Sequence, residues 1–284
     1  MINVMSPKSI WRLLSAPKNI WSVKSSSDGW NSSEKALHYK QNSNLQLQWA
    51  FQALSMAKTI ESSDAVLDFG CGDGKISSLM SFHAKSVYGY DISPYMIECA
   101  DRLYNKSNLK FDSSPAYLLQ NYDVITSFCV FHLVDNPLEV LTELASRLKV
   151  GGHLIAAYPG NGDSSIKQAV LDSFKELPFL GTPLMPYREL NMRERSDVQK
   201  ILHRAGFSGK VQCEVERFRF YDESEFKSWA IGTLSANLGI PPKHEKQFFD
   251  VFIDKYKGID REASLPCGAF APKFNKFIVI AKKA

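Results

Sequence analysis

The stretch Ala65-Val66-Leu67-Asp68-Phe69-Gly70-Cys71-Gly72-Asp73-Gly74 sets a short apolar run against three glycines at alternate positions, and Lys75 to Phe82 follows with Ile76, Leu79 and Met80 at helical spacing. Glycine takes left-handed backbone without steric cost, so this run predicts a strand that turns tightly into a helix. Such a turn lets backbone N–H groups approach a small polar ligand at a helix start. The spacing argues against a dinucleotide, which asks for G-x-G-x-x-G: here the third glycine arrives one residue early and Lys75 stands in its place. A phosphate-binding P-loop is also absent from the sequence.

The same alternation of strand and helix runs on. Ser86 to Asp91 reads as a second strand, and Ser93-Pro94 then opens a helix with serine as cap and proline at its first position. Leu109 to Asp112, Tyr122 to Phe128 and His153 to Tyr158 follow as strands, with a helix at Leu138 to Leu148 before the last. Upstream, Ser33 to Ile60 has helical spacing and no internal proline. Downstream, helices are expected near Ser164 to Leu177, Ser196 to Ala205, Ser224 to Leu238 and Lys243 to Lys257, with strands at Gln212 to Phe220 and Phe274 to Ala281. The expected fold is α/β: a doubly wound, mostly parallel seven-stranded sheet with helices on both faces and a helical lid or insertion. A cofactor half of about residues 60–158 would be followed by an acceptor-site insertion and C-terminal helices over about 159–272, within one domain from 28 to 284.

With 284 residues and 44% hydrophobic content, the chain can bury a substantial core. The sequence contains no stretch near the roughly 20 apolar residues of a membrane span, and no clear signal peptide, so a soluble, cytoplasmic protein is expected. Its five cysteines are scattered without a Cys-x-x-Cys pair, which argues against a disulfide framework and against a structural metal. The net charge of +4 comes from Lys8, Arg12, Lys18 and Lys24, which precede the first acid, Asp28. The remainder balances, so nucleic acid is not the expected partner. Residues 1–27 interleave those cations with Trp11, Trp21 and aliphatic residues, which suits either peripheral membrane contact or packing on the domain.

Val66 to Gly74 resembles the first motif of class I, Rossmann-like methyltransferases that use S-adenosylmethionine. In that resemblance, Asp68, Gly70, Cys71, Gly72 and Gly74 would form the cofactor turn, and Asp91 would take both ribose hydroxyls. Asp91-Ile92-Ser93-Pro94-Tyr95-Met96-Ile97 is similar to the family's D-x-S-x-x-M-I run, with Ile92 and Met96 flanking adenine. Asp112, with Ser113 beside it, matches the acid that contacts the adenine amino group. Ser127, Phe128 and the segment to His132 match the part that faces sulfonium and acceptor, and Leu148 to Gly152 is similar to an L-K-P-G-G turn with Val150 for proline. Tyr39, Ser43 and Gln46 resemble the Y-x-x-x-N-x-x-Q segment of the juvenile-hormone-acid and trans-aconitate methyltransferase group, in which this helix covers the cofactor. The C-terminal third, with Ser228 to Leu234, Phe248, Phe249 and Tyr256, is similar to the same group.

The resemblance implies O-methylation of a small-molecule carboxylic acid, clamped by groups such as Tyr187, Arg188, Arg193, Arg195 or Trp229. No metal is expected. His132 is the candidate base for a hydroxyl or amine acceptor, against its reading as a packed residue. Methylation of a hydroxyl, amine or carbon of a lipid or natural product, and non-catalytic binding of cofactor or partner, stand as the other readings.

Overall fold

The computed structural model describes residues 33–57, 60–134, 136–160, 165–181 and 194–284. Residues 1–27 and the acceptor-site candidates Tyr187, Arg188 and Arg193 lie outside them.

Two helices, α1 (Ser33–Asn42) and α2 (Asn44–Met56), lead into the sheet. The single helix expected over residues 33–60 is therefore broken at Ser43, where the polar trio Asn42, Ser43 and Asn44 interrupts the apolar face. The alternating core follows: β1 (Ala65–Phe69), α3 (Lys75–Met80), β2 (Ser86–Tyr90), α4 (Pro94–Leu103), β3 (Leu109–Asp112), β4 (Tyr122–Phe128), α5 (Pro137–Arg147) and β5 (Leu148–Pro159). α4 starts as its sequence predicts, with the Ser93 hydroxyl accepting the Met96 N–H and Pro94 in the first turn. Beyond β5 come α6 (Ser165–Glu176), α7 (Arg195–Arg204), β6 (Phe207–Arg217), α8 (Glu223–Leu238), α9 (Pro242–Ile259) and β7 (Lys273–Lys283).

The seven strands lie in the order β3-β2-β1-β4-β5-β7-β6. β1 to β5 are parallel, whereas β7 runs antiparallel to both neighbours. The last strand thus enters the sheet between β5 and β6, and β6 forms the edge. That position agrees with the exposure of most of β6, where only Phe207 and Val211 are buried, in contrast to the nearly continuous burial of β1 and β4.

One face of the sheet is covered by α2, α6, α8 and α9, with Trp49, Phe174, Phe226 and Phe252 in its core. The opposite face is covered by α5 and α7 through Leu141, Leu144 and Leu202. A small third cluster, Cys71, Ile97, Ala100 and Phe111, seats α4 on the β2–β3 side. Phe226 is fully buried, with its ring centroid 5.6 Å from Trp229, 5.3 Å from Tyr256 and 5.0 Å from Phe270. Truncating such a ring costs about 3–5 kcal/mol, so this cluster holds the C-terminal helices to the sheet. No described helix is long and apolar enough to cross a membrane.

Candidate active site

The first three parallel strands end together, and the glycine turn closes over their ends. Tyr90 at the end of β2 offers one carbonyl to two turn N–H groups, those of Gly70 at 2.7 Å and Cys71 at 2.9 Å. Gly70 has φ +78°, and a Cβ there would stand 2.2 Å from Val130 Cγ2, so a side chain is excluded on both counts. Gly74, at φ +76°, meets Phe111 and Ala100 just as closely. The turn therefore packs backbone against the segment after β4 on one side and the β3 side of the sheet on the other.

Asp91, one residue past β2, completes the turn. Its Oδ2 accepts the Gly72 N–H at 2.9 Å and its Oδ1 accepts the Ser93 N–H at 2.9 Å. Burial raises its carboxyl pKa, against the pull of those two N–H donors. Asp68, at 2% exposure, receives the Ser77 hydroxyl at 2.5 Å and the Thr126 hydroxyl at 2.9 Å, and burial pushes its carboxyl up to about 6. Asp73 is also buried. Its Oδ2 has no hydrogen-bond partner among the described residues and lies 3.8 Å from the Lys75 ammonium.

Above this floor sits the α1–α2 pair. The Tyr39 ring lies over Gly72, where a Cβ would come to 3.4 Å from Cε1. Gln46 is 7% exposed, and its Oε1 is buried without a hydrogen-bond partner among the described residues. Turn and helices border a partly open cleft lined by Tyr39, Ser43, Gln46, Leu47, Asp68, Gly70, Cys71, Asp73, Lys75, Ile76 and Phe128. Six of the sequence candidates thus converge: Tyr39, Gln46, Asp68, Gly70, Cys71 and Phe128. Asp91, Ile92, Met96, Asp112 and Ser113 lie on the adjoining β2–β3 side. Ile92 is 40% exposed and Met96 buried. Asp112 accepts the Tyr88 hydroxyl at 3.0 Å and the Ser114 N–H at 2.8 Å. Ser127 is fully buried and donates its hydroxyl to the Phe69 carbonyl at 2.9 Å, which ties β4 to β1.

Past β4 the backbone is strained. Cys129 has φ 58°, a left-handed value costly for a residue with a side chain, and its N–H is held by the Ala157 carbonyl at 2.7 Å. His132 follows in the turn Phe131–Leu133, with Nδ1 buried and without a partner among the described residues. Burial lowers its pKa to about 4, and burial likewise pushes the Cys129 thiol up to about 12. Trp229 is 6% exposed within the aromatic cluster, and its Nε1 has no partner among the described residues. Arg195 opens α7, on the face of the sheet opposite α2. Among the described residues no set of His, Cys, Asp or Glu side chains gathers as a metal site.

Sequence reasoning missed Ser77 and Thr126, the donors to Asp68, and the roles of Asp73 and Lys75. Thr126 carried a signal: with Ser127 it interrupts the apolar run of β4.

The family described as Methyltransferase domain matches residues 42–211, which spans the cleft, the turn and β1 to β5. The chain belongs to this family. As a class I, Rossmann-like enzyme it uses S-adenosylmethionine. The methyltransferase is 23% identical to juvenile hormone acid O-methyltransferase of Bombyx mori over 80% of its own length and 86% of that protein. It is 30% identical to malonyl-[acyl-carrier protein] O-methyltransferase of Bacillus cereus, over 42% of its length and 48% of that protein. In fold it is similar to Haemonchus contortus phosphoethanolamine N-methyltransferase 2, solved with S-adenosylhomocysteine, at a TM-score of 0.54 and 16% identity, covering 89% of the methyltransferase and 58% of that chain.

Proposed function

We propose that this methyltransferase methylates an oxygen of a small-molecule carboxylic acid. The observation that carries the reading is the placement of His132, whose Nδ1 is buried with no hydrogen-bond partner among the described residues, so that burial disfavours the protonated ring. A hydroxyl or amine acceptor must lose a proton during transfer, whereas a carboxylic acid is already an anion at neutral pH. The neighbouring Cys129 is no better a base, with its thiol held protonated. Among the described residues, a segment after β4 without a ready base suits an acceptor that needs none. Two relatives named for O-methylation, one of an acid and one of a malonyl group, agree with it.

When bound, S-adenosylmethionine supplies a methyl group on a cationic sulfur: the carboxylate oxygen forms the new C–O bond as the C–S pair returns to sulfur. The residues fit that cofactor, since the turn admits no Cβ at Gly70, and Gln46 Oε1 and Asp73 Oδ2 are buried acceptors without hydrogen bonds among the described residues. Asp68 and Asp73 would face the ammonium of its amino-acid end, and Asp91 would take ribose hydroxyls, each oxygen keeping a lone pair after its present bond. Tyr39 and Gln46 would cover the ligand, and Phe128 would wall off water beside the reacting carbon. Ile92 and Met96 would flank adenine, with Asp112 and Ser113 at its rim. Positioning and desolvation then carry most of the rate. Trp229, whose N–H has no partner among the described residues, and Tyr187 and Arg188 are candidates to hold the acceptor.

Incubating the protein with methyl-labelled cofactor and a panel of carboxylates, phenols and amines tests the reading. Label released as base-labile ester is the expected result. Label confined to phenols or amines would overturn it.

A further inference from the structure

Lys75, the residue that displaces the dinucleotide pattern, reaches across the cleft. Its ammonium donates to the Lys40 carbonyl at 3.0 Å and to the Ser43 hydroxyl at 2.7 Å. These acceptors are the last turn of α1 and the break between α1 and α2. Lys75 itself is the first residue of α3, directly after Gly74. One side chain therefore bonds the start of the glycine-turn helix to the hinge of the helix pair above it.

We propose that Lys75 is a positioning residue for the cofactor, a latch that keeps α1 and α2 closed over the glycine turn. Three observations support the assignment. The bonds fall at Ser43, where the helix pair breaks, while α2 is separately anchored: Trp49 Nε1 donates to Glu216 at 2.6 Å and Gln52 bonds both Glu216 and Lys276. Release of Lys75 would thus leave α1, which carries Tyr39, held over the turn only by its packing on α8 and α4, without detaching α2. The ammonium also has a second place to go. Asp73 Oδ2 is buried, without a hydrogen-bond partner among the described residues, and 3.8 Å from Lys75 Nζ in the closed arrangement. A lysine has three donors on a flexible stem, so a small swing exchanges the hinge for the carboxylate. The ammonium, only partly exposed, then keeps a carboxylate partner on opening.

The proposal rests on the cleft being the cofactor site, and its test separates the two claims. S-adenosylhomocysteine binding is measured by calorimetry and its release by stopped flow, for the wild type, Lys75→Met and Lys75→Arg. Lys75→Met is expected to bind about tenfold more weakly, about 1.4 kcal/mol, through faster release. Amide exchange is expected to quicken in α1 and not in α4. Lys75→Arg keeps the cation and is expected to recover binding to within about threefold. Should Lys75→Met fail to fold, Ser43→Ala removes one acceptor and is expected to weaken binding about threefold. Binding by Lys75→Met within twofold of the wild type would overturn the latch, as would Lys75→Arg binding as weakly as Lys75→Met. A lower melting temperature with unchanged release would mark a merely structural lysine and also overturn it. No binding by the wild type would overturn the cofactor site itself.

Discussion

The Asp91 carboxylate accepts the Gly72 N–H at 2.9 Å, so the acid at the end of β2 shapes the glycine turn before any ligand arrives. Asp91→Ala therefore removes a turn support together with a ligand contact. Cofactor affinity is expected to fall at least about tenfold, the worth of one charge-assisted hydrogen bond, and the free protein to lose about 1–2 kcal/mol of stability. Calorimetry with S-adenosylhomocysteine and urea unfolding check the two effects separately.

Asp68 and His132 respond to acid in opposite senses. The folded state keeps the Asp68 proton up to about pH 6, well above the ordinary 3.8, so this residue's contribution to stability falls as pH rises through that window and stays low above it. The folded state refuses a proton to His132 until about pH 4, below the ordinary 6.5, so its contribution is full above 6.5 and is lost as pH falls toward 4. Asp68→Asn is expected to make stability fall more steeply on acidification, and His132→Gln to make it fall less. Urea midpoints from about pH 4 to 7 show both slopes.

Ionised Asp68 also attracts a cationic amino-acid tail. Affinity for S-adenosylhomocysteine is expected to weaken as pH drops through about 6, the value to which burial pushes this carboxyl, and to lose that dependence in Asp68→Asn. Titration calorimetry at several pH values supplies the comparison.

If the acceptor is a carboxylate, His132 is not needed as a base. His132→Gln is expected to change kcat less than about threefold, where loss of a general base would cost about a hundredfold or more. Steady-state rates with the acceptor found in the label screen decide between them.

Lys276 is fully buried, 2.8 Å from Glu216 and 3.4 Å from Glu214. Lys276→Met leaves those carboxylates without their cation and is expected to cost about 3–5 kcal/mol, with partial recovery when Glu216→Gln is added. Denaturant unfolding of Lys276→Met, Glu216→Gln and the double variant measures the coupling.

Much of this was legible in the sequence because the parallel strands are buried on both faces and read as apolar runs, while the glycines mark the turn by themselves. Asp91 could be placed because the strand before it and the Ser93-Pro94 cap after it leave it little freedom. What stayed hidden depended on contacts between distant segments. The break at Ser43 is held by Lys75, thirty-two positions away, and Trp49 finds Glu216 at a separation of 167. β6 begins at Phe207 rather than Gln212 because its ladder with β7 sets its length. No local spacing encodes such partners.

The insertion of β7 between β5 and β6 has a consequence for synthesis. Until the ribosome has passed residue 283, β5 has an unpaired edge on that side and β6 has no ladder at all. The nascent chain can assemble its glycine turn early, yet it must carry an open β5 edge and an unattached β6, both prone to pairing with other chains. A nonsense or frameshift lesion removing only β7 would spare every cleft-lining residue and still yield a sticky protein rather than a weak enzyme.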